Sequence, residues 1–324
     1  MGLLAGWHLS CKKMLFFSGI LFISLVIALH LSPYYFPSAF DFFPTSLSSS
    51  SSSCISLLDK IQWNTTKTSQ LNSSKISWKW AESDENVLLG CDYQKLNSTD
   101  MGHLLNGSWV MVAGDSQTRF FVLSFLELLL GEEEIADVRN NLKYSDYHLD
   151  VSRLGLTVDF KWAPYAANLN NLVAELSKNS IFPDVFVIGY GLWNMLHVTN
   201  STDYGDSLHV LNQALTSLFL VEVSPKSRPH LFWLNMPTLI NSMLNTEEKR
   251  EKMSDTVQNE YHQELSSSEL FRPGSPFVLL DLKSLSGSCG VECTNDGMHY
   301  DRVVYEACVH IMLNVLIIQS QPKV

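Results

Sequence analysis

The sequence predicts an α/β domain of three layers, with helices on both faces of a parallel sheet, preceded by one N-terminal transmembrane helix. Three observations carry this prediction. From Trp109 onward, apolar runs of strand length alternate with longer amphipathic runs of helical period. Several of the short runs are apolar at every position, the pattern of strands covered on both faces in a parallel sheet. Residues 14–31 form an uncharged apolar run just long enough to cross a bilayer as a tilted helix.

The N-terminal run, MLFFSGILFISLVIALHL, follows Lys12 and Lys13, with no comparable basic cluster after it. That asymmetry assigns residues 1–13 to the cytosol and the rest of the chain to the lumen, a single-pass type II signal anchor of the Golgi or ER membrane. A cleaved signal peptide is the alternative, but the apolar run exceeds a signal core and no clear A-x-A-like site follows it. Residues 32–90 read as a stem and lead-in: Pro33, Pro37 and Pro44, then unbroken serine from Ser48 to Ser53, then a stretch of little periodicity from Trp63 to Leu89. Residues 91–324 are left for one globular domain.

Within it, strands are expected at Trp109–Ala113, Leu154–Phe160, Val185–Ile188, His230–Asn235 and Phe277–Asp281. Helices are expected at Phe120–Leu130, Ala166–Lys178, Leu208–Val221, Thr246–Leu265 and Asp301–Ile318. Parallel strands need such crossovers, and their sites form at the strands' carboxyl ends.

Composition narrows the function. With 46% hydrophobic and 17% charged residues the chain can bury a substantial core. A net charge of −11 without clustered Lys and Arg argues against a nucleic-acid partner. Sequons at Asn64, Asn72, Asn97, Asn106 and Asn200 all follow the apolar run and fit a glycoprotein of the secretory pathway. Five cysteines, Cys54, Cys91, Cys289, Cys293 and Cys308, lie in what is then an oxidising space, an odd number. A Cys289–Cys293 bridge would stiffen the loop ahead of Asp296, although spacing leaves the partners open. No second ligand pair accompanies those two, so no metal site is expected.

Three motifs carry chemistry. Trp109–Arg119 (WVMVAGDSQTR) runs from a strand through Gly114-Asp115-Ser116 into a helix, which sets Ser116 at the sheet edge beside helix N–H groups that favour an oxyanion. The competing reading is that Ser116 merely caps the helix. Asp296-Gly-Met-His299 supplies a base for the serine hydroxyl, and an aspartate to fix the imidazole tautomer. Here the competing reading is a helix cap and a surface histidine. Gly191-Leu-Trp-Asn194 follows a third apolar strand, and the Asn194 amide is a candidate oxyanion donor. Trp162 and Trp193 are candidates for a sugar platform or for core.

In this order the blocks resemble the SGNH or GDSL-like superfamily, with its flavodoxin-like sandwich, over residues from about 91 to 318. Gly114-Asp115-Ser116-x-x-Arg119 with a lumenal type II layout is most similar to the PC-esterase branch, which holds the trichome birefringence-like polysaccharide O-acetyltransferases and the lumenal domain of sialate O-acetyltransferases. The resemblance implies acetyl transfer through an acyl-serine on Ser116, with Asp296 and His299 completing a triad, Gly191 and Asn194 on the oxyanion or substrate, and Arg119 either binding the acyl donor or forming a salt bridge. It implies a glycan acceptor, an acetyl donor in place of any cofactor, and an opening for a multipass partner that delivers acetyl groups across the membrane. Tyr300 departs from the trichome birefringence-like pattern, which usually has Trp after the histidine, and Gly155 is only a weak match to the superfamily's block II glycine. A carbohydrate acetyl esterase, a non-catalytic glycan-binding member of the fold and a membrane-tethered scaffold are the alternatives.

Overall fold

The computed structural model describes residues 54–67, 74–82, 90–179, 181–198, 200–220, 229–272 and 275–320. The proposed membrane segment, the Pro- and Ser-rich stem up to Ser53 and the Asn72 sequon lie outside the described residues.

The strands of the main sheet are β3 (Trp109–Gly114), β4 (Tyr147–Val151), β5 (Leu156–Trp162), β6 (Val185–Gly189), β7 (His230–Leu234) and β8 (Phe277–Leu280), in the spatial order β4-β5-β3-β6-β7-β8. All neighbours are parallel except β4 and β5, which pair antiparallel, Tyr147 opposite Phe160 and Val151 opposite Leu156. The sheet is therefore mostly parallel, with an edge strand of opposite direction. The sequence reading missed β4 because its register alternates half-buried and exposed residues, and such an edge carries no continuous apolar run. Gly155, with φ +59°, ends a short 3-10 turn and delays β5 to Leu156, two residues past the expected start.

Before β3 lies helix α1 (Ser98–Leu104). After it come α2 (Ser116–Leu129), α3 (Glu132–Asn141), α4 (Ala166–Asn179), α5 (Leu192–His197), α6 (Ser201–Leu220), α7 (Glu247–Lys252), α8 (Asp255–Ser267), α9 (Leu282–Cys289) and α10 (Arg302–Ser320). The pleat sorts the strand side chains between two cores. Val110, Val112, Phe160, Val187 and Phe232 face α2, α3, α9 and α10, whereas Met111, Ala113, Phe186, Ile188 and Trp233 face α4, α6 and α8. The long helix expected over Thr246–Leu265 is two helices. Lys252 ends α7, Met253 is buried, and Ser254 caps α8 by accepting the N–H of Val257.

The lead-in is not structureless. Strands β1 (Ile61–Lys67) and β2 (Ser74–Trp80) form an antiparallel hairpin. Trp78 donates to Glu306, and Trp63 to Ser288. A Cys54–Cys91 disulfide closes the segment. The hairpin explains the composition of α10. That helix is apolar enough to cross a membrane, yet its Val304 to Leu316 stretch is buried between the sheet face and the Trp78 side of the hairpin.

Candidate active site

Strands β3 and β6 run side by side and end together at Gly114 and Gly189. The close approach there demands glycine: Gly114 has φ +151°, and a Cβ on it would lie 1.7 Å from the Gly189 carbonyl oxygen. The chain then turns into α2. Asp115, not Ser116, is the N-cap; its Oδ1 accepts the Gln117 N–H at 2.9 Å. Ser116 is thus the first residue of the helix, with its hydroxyl free for another partner and its N–H among the first-turn donors that lack an intrahelical acceptor.

That partner is His299. Ser116 Oγ lies 2.9 Å from His299 Nε2, and His299 Nδ1 lies 2.8 Å from Asp296 Oδ2. Asp296 also accepts the backbone N–H groups of Met298 at 2.9 Å and His299 at 2.7 Å on its Oδ1. The aspartate therefore caps its own tight turn rather than α10, which begins six residues later at Arg302. Burial pushes the Asp296 carboxyl up, but the three hydrogen bonds and the nearby imidazole outweigh it and leave the carboxyl below its ordinary value. Burial lowers the His299 pKa against the opposing pull of Asp296, and Arg119 and Lys249 lower it further. The lowered pKa favours the neutral imidazole, the form that can accept a proton.

The turn that carries this pair is held from all sides. Thr294 Oγ1 donates to the His299 carbonyl at 2.7 Å and accepts the Gly297 N–H at 3.0 Å. Gly297 has φ +73°, and a Cβ there would meet the Ile240 carbonyl oxygen at 2.6 Å. Cys289–Cys293 forms a disulfide just before the turn, and Cys308 is free and buried. Tyr300 is buried, and its hydroxyl donates to the Thr238 carbonyl at 2.7 Å, tying the turn to the loop after β7.

Across the cleft, Gly191 has φ +150°, with the Met236 side chain where its Cβ would stand, and it leads into α5. Asn194 is buried, and its amide oxygen meets no protein donor. Asp115 links this loop to the serine turn. Burial pushes its carboxyl up to about 6; Oδ2 lacks a hydrogen bond of full geometry, yet the Leu192 and Gly191 N–H groups face it closely enough to counter the effect, alongside Gln117. A cleft of about 160 Å³ opens over the site, lined by Ser116, Tyr144, Leu192, Trp193, Lys249, Met298 and His299 among others.

No family model matches the chain. Protein ALTERED XYLOGLUCAN 9 of Arabidopsis thaliana is 46% identical over 352 aligned residues, which span 98% of this chain and 93% of that protein. The chain belongs to the trichome birefringence-like family, in the PC-esterase branch of the GDSL-like superfamily. Among solved structures, the lipase Lip_vut3 from a goat rumen metagenome has a TM-score of 0.39 at 14% identity, covering 63% of this chain and 95% of that one. TesA has a TM-score of 0.32 at 17% identity, covering 65% of this chain and 98% of that one.

Gly155 precedes β5, at the opposite end of the strand from Ser116, where it packs on Gly107. The carboxyl end of β5 instead carries Trp162, Ala163 and Pro164. Arg119 forms no ion pair among the described residues; its guanidinium lies over the rings of Phe120 and Tyr144, 4.6 Å and 5.2 Å from their centroids. Trp162 and Trp193 are half-buried and meet edge-to-face at 5.6 Å, with Tyr144, Tyr165 and His197 extending the row of rings.

Four residues were missed from sequence. Gln117 donates to the Met298 carbonyl at 3.1 Å and accepts from the Tyr305 hydroxyl at 2.6 Å, which locks α2 to the histidine turn. Its position next to Ser116 was the one available signal. Tyr305, Tyr144 and Lys249 reach the site through tertiary packing, and no local pattern marks them.

Proposed function

We propose that the chain is a membrane-anchored, lumenal serine O-acetyltransferase that modifies a glycan through an acyl-serine. The observation that carries this reading is the unbroken relay from Ser116 Oγ to His299 Nε2 at 2.9 Å and from His299 Nδ1 to Asp296 at 2.8 Å. In the first half-reaction, Ser116 Oγ bonds to the acetyl carbon while His299 takes its proton. The bond to the leaving group breaks, and His299 returns the proton to that group. In the second, an acceptor hydroxyl gives its proton to His299 and bonds to the acetyl carbon. Ser116 Oγ departs and recovers the proton. The Ser116 N–H and the Asn194 amide hold the oxyanion of each tetrahedral intermediate.

The acceptor reading rests on the row of aromatic rings from Tyr144 through Trp162 and Trp193, which offers faces and edges to the C–H surface of a sugar. The relative's name points to xyloglucan, a glycan of that kind. The lumenal reading rests on the two disulfides and on the exposed sequon residues Asn64, Asn97, Asn106 and Asn200.

Intact-protein mass spectrometry of the full chain after incubation with an activated acetyl ester tests the mechanism. A gain of one acetyl group that vanishes in Ser116→Ala, and that a xyloglucan oligosaccharide discharges faster than water does, supports the transferase. Discharge at equal rates in both would make the protein an esterase. No gain in folded protein would leave a binding role.

A further inference from the structure

The base of the serine mechanism is held through its backbone as well as its ring. Backbone freedom at His299 lies in the two dihedrals between the peptide planes on either side of it. In the plane before it, the Met298 carbonyl accepts from Gln117 Nε2 at 3.1 Å, and the His299 N–H donates to Asp296 Oδ1 at 2.7 Å. In the plane after it, the His299 carbonyl accepts from Thr294 Oγ1 at 2.7 Å, and the Tyr300 N–H donates to the Tyr305 hydroxyl at 3.4 Å. All four backbone groups are therefore paired with side chains. Asp296 and Thr294 belong to the turn itself. Gln117 and Tyr305 reach it from α2 and α10, and they are joined: the Tyr305 hydroxyl donates to Gln117 Oε1 at 2.6 Å. Gln117 follows Ser116 in the first turn of α2, so the nucleophile and both peptide planes around its base share one hydrogen-bonded frame.

Gln117 is 2% exposed and Tyr305 1%, and neither lines the cleft over Ser116. Sheltered from water, their bonds have no solvent substitute, and a partner lost there is not replaced. We propose that Gln117 and Tyr305 are positioning residues that set the 2.9 Å approach of His299 Nε2 to Ser116 Oγ, and so govern the rate of acyl transfer without binding substrate. The Phe120 ring packs against both ends of the link, 5.1 Å from His299 and 5.6 Å from Tyr305. Removing either polar link lets the histidine turn shift relative to α2, while the serine turn stays capped by Asp115. A misplacement of about 1 Å between reacting groups costs on the order of 10²-fold in rate. The inference rests on the serine mechanism above and names the residues that align it.

Two conservative variants test it. Gln117→Met keeps the length of the side chain and removes both bonds, and Tyr305→Phe keeps the ring and removes the hydroxyl. Full-length protein is mixed with para-nitrophenyl acetate, acyl-Ser116 is followed by mass spectrometry, and the melting temperature is measured alongside. In each variant the limiting acylation rate should fall about tenfold to a hundredfold, while the half-saturating ester concentration stays at the wild-type value. The double variant should be little slower than Gln117→Met, because one network is broken once. Replacing Cys54 and Cys91 with serine is the control: the melting temperature falls, and the limiting rate of the folded protein stays at the wild-type value. A rate loss in that control equal to the loss in Tyr305→Phe would trace both to general destabilisation and overturn the proposal. A Tyr305→Phe limiting rate equal to wild type, or a loss confined to the half-saturating concentration, would overturn it as well and spare the serine mechanism. Should Gln117→Met fail to fold, Tyr305→Phe decides between these results by itself. A folded wild type that never acylates overturns the serine mechanism and this inference with it.

Discussion

Asp296→Asn separates the chemistry of the site from its architecture. Asp296 accepts three hydrogen bonds, and asparagine can keep two of them, because Oδ1 still faces the Met298 and His299 N–H groups. The third is inverted: an amide N–H would face His299 Nδ1 at 2.8 Å. The imidazole must then present its lone pair at Nδ1 and carry its proton on Nε2, where it cannot accept from Ser116 Oγ. Loss of a hydrogen bond from a charged partner removes about 1.5–3 kcal/mol of imidazolium stabilisation, and the wrong tautomer raises the total to about 10⁴-fold in rate, as in serine proteases. At 1.36 kcal/mol per decade this is about 5 kcal/mol of barrier. Folding should hardly change, since the Asp296 side chain is 44% exposed and the turn keeps its backbone bonds. The assay is the rate of acyl-Ser116 formation, with the melting temperature measured alongside. A rate within tenfold of wild type at an unchanged melting temperature would refute the assignment of Asp296.

Ser116→Ala and His299→Ala should each lower turnover by several orders of magnitude, and the double variant should be little worse than either, because the residues act as one unit; additive losses in the acylation assay would contradict this. The acylation rate should rise with pH through an inflection below 6.5 and be flat above neutrality, since burial lowers the His299 pKa and the neutral form is the base. A rate still climbing between pH 7 and 8 would exclude His299 as that base. Gly114→Ala should cost on the order of 4 kcal/mol or prevent folding, as its Cβ would lie 1.7 Å from the Gly189 carbonyl at a φ of +151°; denaturant unfolding measures it. Replacing Cys54 and Cys91 with serine should remove about 3–4 kcal/mol by releasing a loop of 37 residues, again read from unfolding.

Much of the fold was legible because buried parallel strands write themselves as continuous apolar runs, and β3, β6, β7 and β8 were all located in this way. Elements with one wet face were not. Strand β4 alternates weakly, and the β1–β2 hairpin is largely exposed, with Trp63 and Trp78 as its anchors. Helix α3 begins with three glutamates and buries only Ile135 and Val138. The two helices read as one over Thr246–Leu265 show the converse: Ser254 is a strong cap, but an apolar period that continues across it hides the break.

The sequence by itself determined the strand-turn-helix setting of Ser116, the Asp296-x-x-His299 turn and the loop from Gly191 to Asn194, since each depends on residues a few positions apart whose local geometry their own types dictate. Tertiary structure alone decided that Ser116 Oγ and His299 Nε2, 183 residues apart, meet at 2.9 Å, that Asp115 takes the cap and leaves the serine free, and that Gln117 and Tyr305 clamp the two halves together. Those facts follow from how α2 and α10 pack around the sheet's carboxyl edge, and long-range packing leaves no periodic mark in the chain.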